Sequence, residues 1–249
     1  MRIHIIACRV LSRELNYLAA VSPHVVDITW LPQGLHDTPD LLRKSVRDTI
    51  QGLADQVEKN VLKHRPDVIA LGYGLCSNGV VGVESSDIPI VVPRTDDCIA
   101  LFLGSQARYL TLFEEYPGTF WLNNGWMESC YGTRGEWWSA PEGRLEEYIE
   151  KYGEDNAEYI LEQETAWIRN YRHCFFIGSC VHSDPEYACS ASCVAKENNW
   201  TFEETAGDTR MLRMLTDGTW NDTEFLICPP HHRIEAVYDG TKLRAVPLA

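Results

Sequence analysis

Over the first hundred or so residues, short apolar runs alternate with longer stretches in which apolar positions recur at helical spacing. IHIIAC (3–8) and VVDITWLP (25–32) are apolar and β-branched, as buried strands are, and SRELNYLAAVS between them reads as a helix. After the turn-like PQGLHDTP, an amphipathic pattern covers 40–64, with Leu41, Leu42, Val46, Ile50, Leu53, Val57 and Val61 on one face. Thr38 is its natural N-cap and Pro39 its first residue. DVIALGYG (67–74) is a strand running into a glycine loop, and IPIVVP (88–93) is a strand that Pro93 ends. Asp96 and Asp97 suit the start of a helix in CIALFLGSQARYLTLFEEY, because their carboxylates complement the unpaired N–H groups there. TFWLNNGW follows as a strand and loop.

From 132 to 172 the chain is acidic and aromatic and reads as two helices interrupted at Gly153. HCFFIGS (173–179) restarts the alternation, with a helix over 185–199, a strand at TFEETAG, a helix at TRMLRMLTDG and a strand at DTEFLICPP. Strands alternating with helices predict an α/β fold with a largely parallel sheet flanked by helices, two Rossmann-like halves being one arrangement of it. The expected organisation is an N-terminal α/β half (1–131), the acidic helical segment (132–172) and a smaller C-terminal α/β half (173–249), with a single compact domain as the alternative.

Composition narrows the function. A chain of 249 residues with 45% apolar and 23% charged residues is an ordinary globular one. A net charge of −14 argues against nucleic-acid and anionic-membrane partners, which would require clustered Lys and Arg. Only Arg2 precedes the apolar start, which runs straight into polar LSRELNY without a cleavage site, so a cytoplasmic location is expected. In that compartment nine cysteines are better read as ligands, catalytic thiols or core residues than as disulfides.

In parallel α/β sheets ligands bind beyond the carboxyl ends of the strands. Cys8 ends the first strand, Cys76 follows the GYG of a central one, Cys98 begins the helix after Pro93, and Cys180 follows HCFFIGS. Thiolates from separate loops can hold zinc or an iron–sulfur cluster, so Cys8, Cys76 and Cys98 are candidate metal ligands, with Cys180 as a fourth and Asp97 as ligand or supporting carboxylate. The bland alternative is a set of small buried hydrophobes. A nucleophilic Cys98 at a helix start is the rival chemistry, but Asp96 and Asp97 beside it would raise its pKa. A second candidate cluster comprises Cys174, Cys189 and Cys193, near His173 and His182; its spacing matches no standard zinc or ferredoxin pattern, and the alternative is core packing.

The glycine loop at 72–82 is neither a Walker loop nor a dinucleotide fingerprint, yet Gly72 and Gly74 could let backbone N–H groups approach a cofactor. A tight turn is the simpler reading. Trp126 is a candidate cofactor contact in an aromatic stretch with Cys130, Trp137 and Trp138, which otherwise reads as core or pocket wall. Cys228 reads as core, and His231 and His232 as exposed side chains pointing in opposite directions. No GxSxG, HExxH or DxDxDG motif is present in the sequence.

LPQGLHDTPDLL, DVIALGYGLCSNGVVG, VPRTDDCIALFLGS, PGTFWLNNGW and LRMLTDGTWNDTEFLI, in this order, resemble the bacterial and archaeal family called domain of unknown function 1638. The resemblance implies a setting in anaerobic, corrinoid-linked methyl transfer, and a His where this chain has Asp96. The combined expectation is a metal- or iron–sulfur-binding protein of anaerobic one-carbon metabolism, with iron–sulfur or zinc as cofactor and a small-molecule substrate or a corrinoid protein as partner, which would supply any corrinoid. Methyl transfer and redox chemistry are the enzyme classes it points to. An accessory protein delivering corrinoid, metal or electrons, and a small-molecule-binding domain with merely buried cysteines, are the alternatives.

Overall fold

A computed structural model describes residues 1–59, 61–131 and 141–248. In chain order the elements are β1 (Arg2–Cys8), α1 (Ser12–Val21), β2 (Val25–Leu31), α2 (Pro39–Glu58), β3 (Val68–Gly72), the short β4 (Glu84–Ser85) and β5 (Ile90–Pro93). There follow α3 (Cys98–Phe102), α4 (Gln106–Glu115), β6 (Thr119–Asn123), α5 (Asn124–Tyr131), α6 (Pro141–Tyr152), α7 (Glu154–Thr165), β7 (His173–Gly178) and α8 (Pro185–Glu197). β8 (Thr201–Ala206), α9 (Arg210–Asp217), β9 (Phe225–Cys228), β10 (His232–Ala236) and β11 (Leu243–Pro247) complete the chain.

The fold is α/β, as the alternation predicts. It divides into two compact units: Met1–Tyr109 with Ser179–His182 and Gly207–Ala249, and Leu110–Gly178 with Ser183–Ala206. The units interleave along the chain, because β9 returns to pair antiparallel with β5 while β6 pairs with β7 across the acidic segment.

In the first unit the main sheet has the order β2-β1-β3-β5-β9, parallel except for β9. β3 and β5 are buried throughout, and β1 is buried from Ile3 onward, which is why they read as unbroken apolar runs. β2 lies on one side of β1 and β3 on the other, so the order reverses between β1 and β3 and a crevice is expected at their carboxyl ends. The two strands lie close together: a Cβ at Gly72 would stand 2.5 Å from that of Ala7, its register partner. A smaller antiparallel sheet, β11-β10-β4, completes this unit.

α2 starts at Pro39 as expected, although Thr38 caps it without a side-chain bond, and it ends at Glu58. Val61 therefore falls beyond the helix and is exposed. In the second unit β6-β7-β8 form a parallel sheet against which α8 packs, burying Leu122, Cys174, Phe176, Tyr187 and Trp200. Gly153, at φ 83°, separates α6 from α7 where the sequence places the break. No helix among the described residues is long and apolar enough to cross a membrane.

Two glycine substitutions should move stability in opposite directions. Gly72→Ala overpacks the β1–β3 contact and is expected to destabilise by about 1–3 kcal/mol. Gly52→Ala, in α2 with nothing within 4 Å of the added carbon, should stabilise by about 0.4–1 kcal/mol. Urea midpoints at constant m-value measure both.

Candidate functional site

The carboxyl ends of β1, β3 and β5 carry the candidate residues. Ala7 pairs with Gly72, so one step further along the two strands Cys8 and Tyr73 come side by side. Beyond Tyr73 the loop is stitched to the one after β5: Leu75 N donates to Thr95 O at 2.8 Å and Cys76 N to Asp96 O at 2.9 Å. Gly74 makes this possible, since a Cβ there would lie 2.5 Å from Thr95 Oγ1 and 2.8 Å from Asp97 N. Cys76, Ser77 and Asn78 then take φ of 44°, 57° and 64°, three consecutive non-glycine residues in left-handed backbone. Asp97 Oδ1 accepts from Ile99 N at 2.8 Å and caps α3, whose first residue is Cys98. Its Oδ2 accepts from the Tyr109 hydroxyl at 3.0 Å.

Cys8 and Cys76 are buried, while Cys98 and Asp97 keep partial access to solvent. Burial raises the Cys8 thiol pKa, opposed by the Val10 backbone and by the nearness of the Tyr73 hydroxyl, which does not reach hydrogen-bonding geometry. Burial raises the Cys76 pKa far more, with the Asp97 charge adding to it. Desolvation raises that of Cys98 well above the ordinary range, helped by Cys76, Asp97 and Cys8. Desolvation also raises the Asp97 carboxyl, opposed by its bonds from Ile99 and Tyr109. The three thiols thus share one neighbourhood, and none of the groups that shift them is cationic. Among the described residues, no three His, Cys, Asp or Glu side chains already stand where they could hold a metal ion.

Asp96, where the family resemblance implies a His, is engaged elsewhere. Lys242 Nζ and Gln106 Nε2 each donate to its carboxylate at 2.6 Å. Cys180 belongs to the same unit but is exposed and donates to Gly207 O at 2.8 Å; burial, Asp208 and Glu14 raise its pKa. The proposed cofactor contacts Gly72 and Gly74 face protein on their Cβ sides, Ala7 for one and Thr95 for the other.

In the second unit Cys174 is buried, its thiol pKa pushed up to about 12 by desolvation, whereas Cys189 and Cys193 are exposed on α8. The structure does not bring these three together. Trp126 packs edge-on against Phe120, and Cys228, in the first unit, is core. The Cys130 side chain, Trp137 and Trp138 lie outside the described residues. His231 is in left-handed backbone and His232 begins β10, only partly buried. Sequence reasoning passed over Tyr73, Tyr109 and Lys242. The one readable signal was an aromatic residue between the two glycines of GYG.

The chain belongs to the family described as "Protein of unknown function (DUF1638)". The match covers residues 30–216, and so includes Cys76, Asp97 and Cys98. No curated protein and no solved structure matches it.

Asp97 has two separable effects, one as a cap and one as a charge. Asp97→Ala should lose about 0.5–2 kcal/mol of stability with the α3 cap. Asp97→Asn keeps an acceptor for Ile99 but removes the charge, so the pKa values of Cys76 and Cys98 should fall and their alkylation at mildly alkaline pH should quicken. Above the ordinary thiol pKa of about 8.5 the unfolded chain loses thiol protons that the folded one retains, so stability from these thiols is complete below that pH and declines above it. Metal-free wild type should therefore melt progressively lower as pH rises past about 8.5, and Asp97→Asn less steeply.

Proposed function

We propose that the chain is a cysteine-ligated metal or iron–sulfur protein of anaerobic one-carbon metabolism, working in the reducing cytoplasm, with Cys8, Cys76 and Cys98 as its ligands. One observation carries this reading: three thiols from three strand-end loops occupy one neighbourhood whose electrostatics keep them protonated. A nucleophilic cysteine needs a lowered pKa, and these are raised. A soft metal cation is the kind of ligand that displaces such protons and remains in a site rich in carboxylate and thiol.

The donors fit that role. To meet at a common centre the three sulfurs would have to rotate about χ1 between staggered wells on fixed backbones, and Asp97 could supply a fourth atom or support a ligand by hydrogen bonding. Cys180, directed to Gly207 O, would have to turn to join them. Three thiolates leave a coordination position for substrate. A metal bound there keeps a substrate thiol ionised at neutral pH, which is the requirement of methyl transfer from a corrinoid partner to sulfur. In that chemistry Cys8, Cys76 and Cys98 would hold the metal, and the substrate would enter from the partly exposed Asp97 side. Delivery of metal or electrons to a methyltransferase would use the same ligands.

The thiols do not yet stand at metal-holding positions, and this favours a second reading, a small-molecule-binding domain with buried cysteines. Metal and acid-labile sulfide analysis of anaerobically purified protein decides between them. Zinc alone would remove the cluster reading, iron with sulfide the zinc reading, and absence of metal together with full alkylation of the three thiols in the native protein would leave the second. For a metal protein, Cys8→Ala, Cys76→Ala and Cys98→Ala should each abolish stoichiometric loading. Affinity should rise with pH by up to about tenfold per unit for each proton displaced.

A further inference from the structure

Tyr73 lies between β3 and the Cys76 turn and is 2% exposed. Its hydroxyl is buried and has no hydrogen-bond partner in the described protein. A hydroxyl buried without a partner is destabilising, and natural structures seldom retain one unless another state satisfies it. The ladder between β1 and β3 places it beside Cys8, and Cys8, Cys76 and Cys98 are the ionisable groups that act on it. Against a neutral Cys8 thiol, itself a weak acceptor, the hydroxyl makes no bond of acceptable geometry. A sulfur carrying negative charge is a far better acceptor, and charge-assisted bonds are about twice as strong as neutral ones.

We infer that Tyr73 is a positioning residue whose hydroxyl donates a hydrogen bond to the Cys8 sulfur in the metal-loaded protein and is unsatisfied without metal. This rests on the proposed function. When the metal–sulfur bond forms, the Cys8 proton leaves to solvent and the Tyr73 O–H, which keeps its own proton, turns to the thiolate. Donors to ligating atoms orient the ligand and tune the metal, and their loss typically lowers affinity about 10–100-fold.

The test compares full-length wild type with Tyr73→Phe, each titrated anaerobically with cobalt(II) and separately reconstituted with iron(II) and sulfide. Binding about 10–100-fold weaker in the variant, with a shifted sulfur-to-metal charge-transfer band and a metal-free melting temperature no lower than wild type, is the expected result. Equal affinity and an unchanged band would overturn the role of Tyr73 while leaving the metal site standing. Weaker binding matched by a lower metal-free melting temperature would reduce Tyr73 to a packing residue and also overturn it. If wild type takes up neither cobalt nor a cluster, the proposed function fails and this inference with it.

Discussion

The contact between Gly74 and the loop after β5 sets the geometry of everything around it. With only a hydrogen on that Cα, the backbone at 74–76 can lie against 95–97 and form the Leu75–Thr95 and Cys76–Asp96 bonds. Those two bonds fix Cys76 relative to Asp97 and Cys98. The Gly72–Ala7 approach does the same for β3 against β1, and so for Cys8. Two glycines that a cofactor-loop reading would aim outward are used to bring protein onto protein, and the thiols are held together as a consequence.

The turn that carries Cys76 is conformationally unfavourable. Left-handed backbone costs a non-glycine residue about 1–2 kcal/mol, and here three follow one another. α2 holds them: Arg43 donates to the carbonyls of Asn78 and Val81, and Gly79 sits so close to Leu42 that a Cβ would be 2.4 Å from its Cδ2. A glycine at position 76 would satisfy the same backbone at less cost. Under the proposed function the cysteine is kept there for its side chain, since strain of this kind gathers where a side chain must be aimed at a site.

β1, β3 and β5 were legible because burial on both faces leaves an uninterrupted apolar run. β10 and β11 were not: each is half exposed, and Glu235 pairs with Arg233 on its own strand and with Arg244 across on β11, so neither shows a clean alternation. The return of β9 to β5 could not be read either, because antiparallel pairing over a long separation leaves no local mark. Position at a strand end anticipated that Cys8, Cys76 and Cys98 share one neighbourhood. It said nothing of side-chain direction, which separates buried Cys174 from exposed Cys189 and Cys193, or of the bond that turns Cys180 to Gly207.

The charge balance around the group bears on the sign of any ion it would take. Lys242 is half of an ion pair with Asp96, and Gln106 holds the other carboxylate oxygen, so that cation is already committed. What faces the thiols is Asp97, the two tyrosine hydroxyls and the thiols themselves. Such surroundings disfavour a lone thiolate, because each negative charge raises the cost of the next in a poorly solvated space. The same environment strengthens the attraction of a multivalent cation, which cancels several of those charges at once. On the proposed function, the protonated, metal-free group and the ionised, loaded one would therefore be the two favourable arrangements of the same side chains, with a singly ionised group between them the unfavourable one.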